Sequence, residues 1–175
     1  MDKNFYITTP IYYPSAKPHM GHAYSSIIAD FFARFKSIDN FNVHFLTGTD
    51  EHGLKIQRSA EKVGQDPQRF CDQISETFRD LSKVLNLSNT DFIRTTEQRH
   101  KNTVQHLWKE LEKNGDIYLS NYSGWYSVSD EAFYNENEIE EINGKKISKL
   151  SGSTVDWVEE ESYFFKLSSW SEKLL

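Results

Sequence analysis

Two histidines flanking a methionine and a glycine, His19-Met20-Gly21-His22, are the residues of this chain best suited by type and spacing to chemistry. They follow Pro18 and open a stretch of helical apolar spacing. This puts two imidazoles and a bare glycine backbone at the positive end of a helix, where a phosphate can sit. Carrying the α-phosphate of a nucleoside triphosphate through its charged transition state requires fixed donors aimed at the phosphate oxygens. His19 and His22 could supply them from the first helical turn, and Gly21, without a Cβ, lets a nucleotide lie against the backbone. Lys17 either helps to bind phosphate or is an ordinary solvent-facing loop lysine. Taken alone, the pair reads equally well as two surface or capping histidines.

A second constellation is Thr47-Gly48-Thr49-Asp50-Glu51-His52-Gly53. It follows an apolar strand-like run, and open parallel sheets bind ligands at the carboxyl ends of their strands, so it should face the same crevice as the tetrad. Asp50 is a candidate counter-ion for a ligand ammonium and His52 a candidate polar contact; alternatively, Asp50 is the N-cap of a following helix. A metal hydrolase is the competing class, because His19, His22, Asp50 and His52 are common donors to zinc or a redox metal. Against it, the tetrad histidines are three apart rather than four, and the motif holds no glutamate base.

These residues need a scaffold, and the pattern supplies one. Phe5 to Pro10 reads as a strand ended by proline and residues 11–18 as a loop. From His19 the apolar positions Ala23, Ile27, Ile28, Phe31, Phe35 and Ile38 recur at three and four, predicting a helix that buries that stripe. Asn42 to Thr47 is a second strand, giving the strand–helix–strand unit of a parallel sheet. A helix from Gly53 to Val63 follows. Another starts at the Asp66-Pro67 cap and carries Phe70, Ile74, Phe78, Leu81 and Leu85 inward. A fourth is expected from a capping box at Thr95 to Gln98, running past Val104, Leu107, Trp108 and Leu111 to Gly115, with Phe70 and Trp108 as packing residues.

After Gly115 the texture turns to Tyr, Trp, Val and Ser, and Glu141 to Ile147 reads as a hairpin about Asn143-Gly144. The predicted fold is α/β: a Rossmann-like parallel sheet with its tetrad helix over 1–115, a small β-rich connective insertion over 116–165, and the start of a further segment over 166–175. Trp125, Tyr126, Phe133 and Tyr134 are the candidate core of the insertion. Its acidic residues, Glu136, Glu138, Glu140, Glu141 and Glu159 to Glu161, read as a solvated face.

The chain has 175 residues, 37% hydrophobic, enough for a real core. Its one cysteine, Cys71, excludes an intrachain disulfide framework and, with no apolar leader, points to a cytoplasmic location. A net charge of -6 argues against generic polyanion binding, so any nucleic acid partner needs a local patch. No apolar run is long enough to span a membrane.

The stretch Thr9 to Tyr24, with Pro18-His19-Met20-Gly21-His22 at its centre, and the stretch Leu46 to Ile56 together resemble class I aminoacyl-tRNA synthetases, the methionyl-tRNA synthetase family in particular. The resemblance extends over essentially the whole chain, closing with Tyr163 to Leu167. It implies ATP-dependent activation of L-methionine to an adenylate, followed by transfer to tRNA(Met), with ATP and Mg2+ as cofactors. It assigns His19 and His22 to the ATP phosphates as catalytic residues, with Gly21 under the nucleotide; Lys17, next to the tetrad, is the further ATP-binding candidate. Ile11, Tyr13, Asp50 and His52 are the methionine-binding set, with Ile11 and Tyr13 lining the pocket and Asp50 receiving the α-amino group. Sister synthetases and other nucleotidyltransferases with the same tetrad remain the alternative.

Two departures from the family matter. Many members carry a zinc knuckle with Cys-x-x-Cys where this chain has Trp125-Tyr-Ser-Val-Ser-Asp130, so Ser127 and Asp130 replace thiolates and no structural zinc is expected. The family's lysine-rich KMSKS loop has no counterpart. Lys146-Ile-Ser-Lys-Leu150 imitates it in letters only and reads as a solvated strand end. The expectation is an N-terminal fragment, inactive in adenylation alone, that meets tRNA mainly through parts not present.

Overall fold

A computed structural model describes residues 3–175, which form two units, the first ending at Asn102 and the second running from Thr103 to Leu175. In the first, β1 (Asn4–Thr8), β2 (Asn42–Thr49) and β3 (Asp91–Arg94) pair in parallel in the order β1-β2-β3. The register sets Ile7 beside Phe45 and Thr47 beside Phe92, so alternate residues share one face. Two helices cover it: α1 (Met20–Ile38) packs Ala29 and Ala33 on Phe45, Ile7 and Val43, and α3 (Pro67–Val84) brings Phe78 to Phe92 and Tyr12. Between them, α2 (Leu54–Lys62) buries Ile56 and Ala60.

The expected stripe of α1 is not the buried one. Ala23 is buried as predicted, but its companions are Ser26, Ala29 and Ala33, while Phe31 and Ile38 are 64% and 82% exposed. Small residues let α1 lie close to the sheet, so the large side chains are left on the outer side. Close approach also explains Gly48: a Cβ there would stand 1.9 Å from the Ile93 carbonyl oxygen, so β2 and β3 could not pair at this distance.

β3, four residues with only Phe92 and Ile93 apolar, carries no strand pattern of its own. The following helix, α4 (Gln98–Lys113), begins after a turn rather than at a Thr95 capping box. Thr95 instead accepts the Glu51 N–H at 2.8 Å. Trp108 is not buried; it meets Tyr163 edge-on at 5.2 Å.

In the second unit, β4 (Ile117–Ser127) pairs antiparallel with β5 (Ala132–Tyr134) and β8 (Asp156–Phe165). The predicted hairpin is β6 (Ile139–Ile142) and β7 (Lys145–Ser148), turned by Asn143 and Gly144 at φ +53° and +75°. Its buried centre is Ile139 and Val155 with Ser127 and Ser148. The aromatic set expected to form the core lies only half-covered, with Tyr126 and Tyr122 against Phe133 and Trp125 against Trp157. Nor is the 146–150 segment merely solvated: Lys146 Nζ sits 3.9 Å over the Trp125 ring, and Lys149 Nζ donates to the Asn137 carbonyl at 2.6 Å. Glu136 accepts from Trp125 Nε1 at 2.7 Å, so one of the acidic residues is a structural acceptor. No helix among the described residues is long and apolar enough to cross a membrane.

Candidate active site

His19 is the N-cap of α1, and its backbone is extended. Its Nδ1 accepts the Gly21 N–H at 3.0 Å, and His22 Nδ1 accepts the His19 N–H at 3.0 Å. The pair forms a capping box in which imidazoles replace the usual hydroxyl and carboxylate. The capping reading of the tetrad is therefore the one the structure bears out. A ring nitrogen that accepts carries no proton, so both histidines are neutral tautomers with their N–H at Nε2. The cap fixes the rings, 3.9 Å apart, and leaves each with a donor for a ligand oxygen.

His22 is half-buried against Tyr12 and Phe78, at ring distances of 4.8 and 5.1 Å. That burial first, and then the repulsion a protonated His19 would exert, hold its pKa below the ordinary 6.5. Gly21 makes the cap possible, because a Cβ there would stand 2.9 Å from His19 Cε1.

Residues 10–13 extend the sheet past its strands. Tyr12 N–H donates to the Gly48 carbonyl and Asp50 N–H to the Tyr12 carbonyl, both at 2.9 Å. A cleft of about 450 Å³ opens there, lined by Ile11, Tyr13, Ser15, Lys17, His19 and His22. Five of the predicted site residues thus share one cleft. Asp50 is tied by its backbone to the segment that carries Ile11 and Tyr13. It does not cap α2, whose N-cap is Gly53 at φ +101° without a side-chain bond. His52 is turned elsewhere, its Nδ1 2.9 Å from Thr95 Oγ1, and it does not line the cleft.

Beneath this loop lies a polar network that sequence reasoning missed. Glu51 is buried and takes Arg94 in a two-point contact, Nε to Oε1 at 2.7 Å and Nη2 to Oε2 at 2.9 Å. Thr49 and Thr96 hydroxyls donate to the same carboxylate at 2.8 and 2.5 Å, and Arg94 also reaches Asp72. Burial pushes the Glu51 pKa up, but the bonds from Arg94, Thr96 and Thr49 outweigh it and hold it below its ordinary value. Cys71, buried near Glu51, has its thiol pushed up to about 11, by burial first and then by that charge. The one signal in the sequence was an acid inside a strand-end loop, and nothing there named its partner.

A parallel β–α–β sheet with an imidazole-capped helix at its carboxyl edge is a Rossmann-like α/β arrangement, and residues 5–146 match the family model described as tRNA synthetases class I (M). The chain belongs to that family. Along 99% of its length it is 51% identical to the mitochondrial methionine–tRNA ligase of Takifugu rubripes and to the methionine–tRNA ligase of Listeria monocytogenes. It covers 30% and 27% of those proteins, so it spans about a third or less of their length. Among solved structures, Mycobacterium tuberculosis methionyl-tRNA synthetase in complex with methionyl-adenylate matches with a TM-score of 0.91 at 46% identity, over 98% of this chain and 34% of that one.

Proposed function

We propose that this chain carries one side of the amino-acid-activating site of a methionine–tRNA ligase, which joins L-methionine to ATP as methionyl-adenylate and passes it to tRNA(Met). The observation that carries the reading is the pair of imidazoles, each with Nδ1 committed to the cap and Nε2–H left to donate, at the edge of the cleft that holds Ile11 and Tyr13. The likeness to a structure solved with methionyl-adenylate supports it.

In this reading a methionine carboxylate oxygen attacks the α-phosphorus, the bond to the bridging oxygen breaks, and pyrophosphate leaves. No general base is needed, since the carboxylate is already an anion. His19 and His22 donate to the phosphate oxygens as charge builds on them, and Lys17 adds a positive charge at the cleft. Gly21 keeps the helix start narrow. Ile11 and Tyr13 hold the methionine side chain and Asp50 its ammonium, while His52 is held through its Nδ1 on Thr95. Mg2+ enters on the phosphates of ATP, for which oxygen ligands suit it. A tRNA hydroxyl then attacks the carbonyl carbon and AMP leaves.

The protein takes no structural zinc in this reading. Zinc favours thiolate and imidazole, whereas Ser127 offers a neutral hydroxyl and the Asp130 carboxylate already accepts three hydroxyl bonds. The location is cytoplasmic. Calorimetry with non-hydrolysable methionyl- and leucyl-adenylate analogues tests the assignment: the methionyl analogue binds and the leucyl analogue binds at least tenfold more weakly, roughly the discrimination a shaped apolar pocket achieves. Equal binding of the two would contradict methionine specificity, and no binding of either would contradict the adenylate site.

A further inference from the structure

β4 ends at Ser127 and β7 ends at Ser148, and both serines are fully buried. The turns that follow are built alike. Three residues on stand Asp130 and Ser151, and four residues on stand Glu131 and Gly152, both left-handed at φ +53° and +71°. In each turn the first hydroxyl accepts a backbone N–H from the residue three on: Asp130 N reaches Ser127 Oγ at 3.3 Å, and Ser151 N reaches Ser148 Oγ at 3.4 Å. Ser148 Oγ also accepts the Leu150 N–H at 3.2 Å.

One carboxylate joins the two turns. Asp130 Oδ2 accepts from Ser151 Oγ at 2.5 Å and from Tyr134 OH at 2.8 Å, while Oδ1 accepts from Ser153 Oγ at 2.8 Å. Two paired turns with functional groups at positions one and four, and backbone N–H groups aimed at the first, are the framework that holds a four-thiolate zinc ion. Here the donors are three neutral hydroxyls and one carboxylate, a set too hard and too weakly charged for that ion.

We propose that residues 127–131 and 148–152 form a metal-knuckle framework that runs without metal, with the Asp130 carboxylate cross-linking the two turns in the place an ion would take. Ser127 and Ser148 shape their own turns. Asp130, bonded to Ser151 and Ser153 across the gap, is what keeps β4 and β7 in register with each other's ends. The inference is independent of the activity proposed above, since it concerns only what holds this module together.

Two measurements on the full chain test it. Combining Ser127→Cys, Asp130→Cys, Ser148→Cys and Ser151→Cys should yield a protein that takes up one zinc ion and shows tetrahedral thiolate absorption with Co2+, while the native chain takes up none. Independently, Asp130→Ala should speed amide exchange in residues 127–131 and 148–153 roughly tenfold or more, with α1 and β2 unchanged. Asp130→Asn should fall between the two. Stoichiometric zinc on the native chain would overturn the proposal. So would a folded four-cysteine variant that ignores zinc, or unchanged exchange in Asp130→Ala.

Discussion

Arg94 grips Glu51 at two points, 2.7 and 2.9 Å, and the Glu51 side chain has no exposed surface while Arg94 keeps 16%. This pair ties the end of β3 to the loop that carries Asp50 and His52. Removing one partner leaves a buried charge uncompensated, which typically costs more than the pair itself contributes. Arg94→Met is therefore expected to destabilise the fold by about 3 kcal/mol in denaturant unfolding. Glu51→Gln should cost less, because Asp72 still compensates Arg94.

The same pair sets an acid limit. The Glu51 pKa is lower in the folded state than its ordinary 4.5, so its contribution is complete above pH 4.5 and is lost as pH falls through the lowered folded value. Unfolding free energy followed from pH 6 downward should drop in that window, and the drop should shrink in Glu51→Gln.

His22 titrates the other way round from a salt-bridged histidine. Its folded pKa lies below 6.5, so folding is unpenalised above that pH and penalised as pH falls toward the lowered value, where only the unfolded chain binds the proton readily. Imidazole 15N shifts should show His22 with its proton on Nε2 at pH 7 and a midpoint below 6.5. A midpoint above it would refute the capped, neutral arrangement.

Gly21→Ala places a Cβ 2.9 Å from His19 Cε1, a contact the ring can escape only by swinging away and breaking its cap bond. The expected result is a native circular dichroism spectrum, a loss of about 1 kcal/mol, and roughly tenfold weaker binding of a methionyl-adenylate analogue. Gly48→Ala differs, since its Cβ meets the Ile93 backbone, which cannot move without unpairing β2 from β3. About 3 kcal/mol should be lost there.

Cys71 is buried, and its thiol is pushed up to about 11, so little thiolate exists at pH 8. The native chain should resist a thiol reagent at that pH and react fully once unfolded.

How legible the fold was depended on how local its causes are. The Asn143-Gly144 turn and the Asp66-Pro67 cap are written in single residues with fixed backbone preferences, and both formed as read. The buried side of α1 was misread because periodicity weighs size, whereas this sheet selects Ala29 and Ala33 for closeness. β3 was missed because its four residues hold only two apolar side chains and its pairing is supplied by β2, far away in sequence. At the site, the residue types of the tetrad were legible. What orients them, a cap made by each ring on the other's backbone neighbourhood, was not, because it depends on which ring nitrogen accepts. Glu51 and Arg94 lie 43 residues apart, and no pattern in the chain joins them.

The central claim is that the two Nε2–H groups of the tetrad donate to the phosphate of an adenylate. Imidazole-detected 15N NMR of the chain during titration with a methionyl-adenylate analogue tests it most directly. The account predicts that the Nε2 signals of His19 and His22 shift together and saturably, while both Nδ1 signals keep their capped positions and His44, His100 and His106 stay still. Unmoved Nε2 signals in a chain that binds the analogue would contradict it.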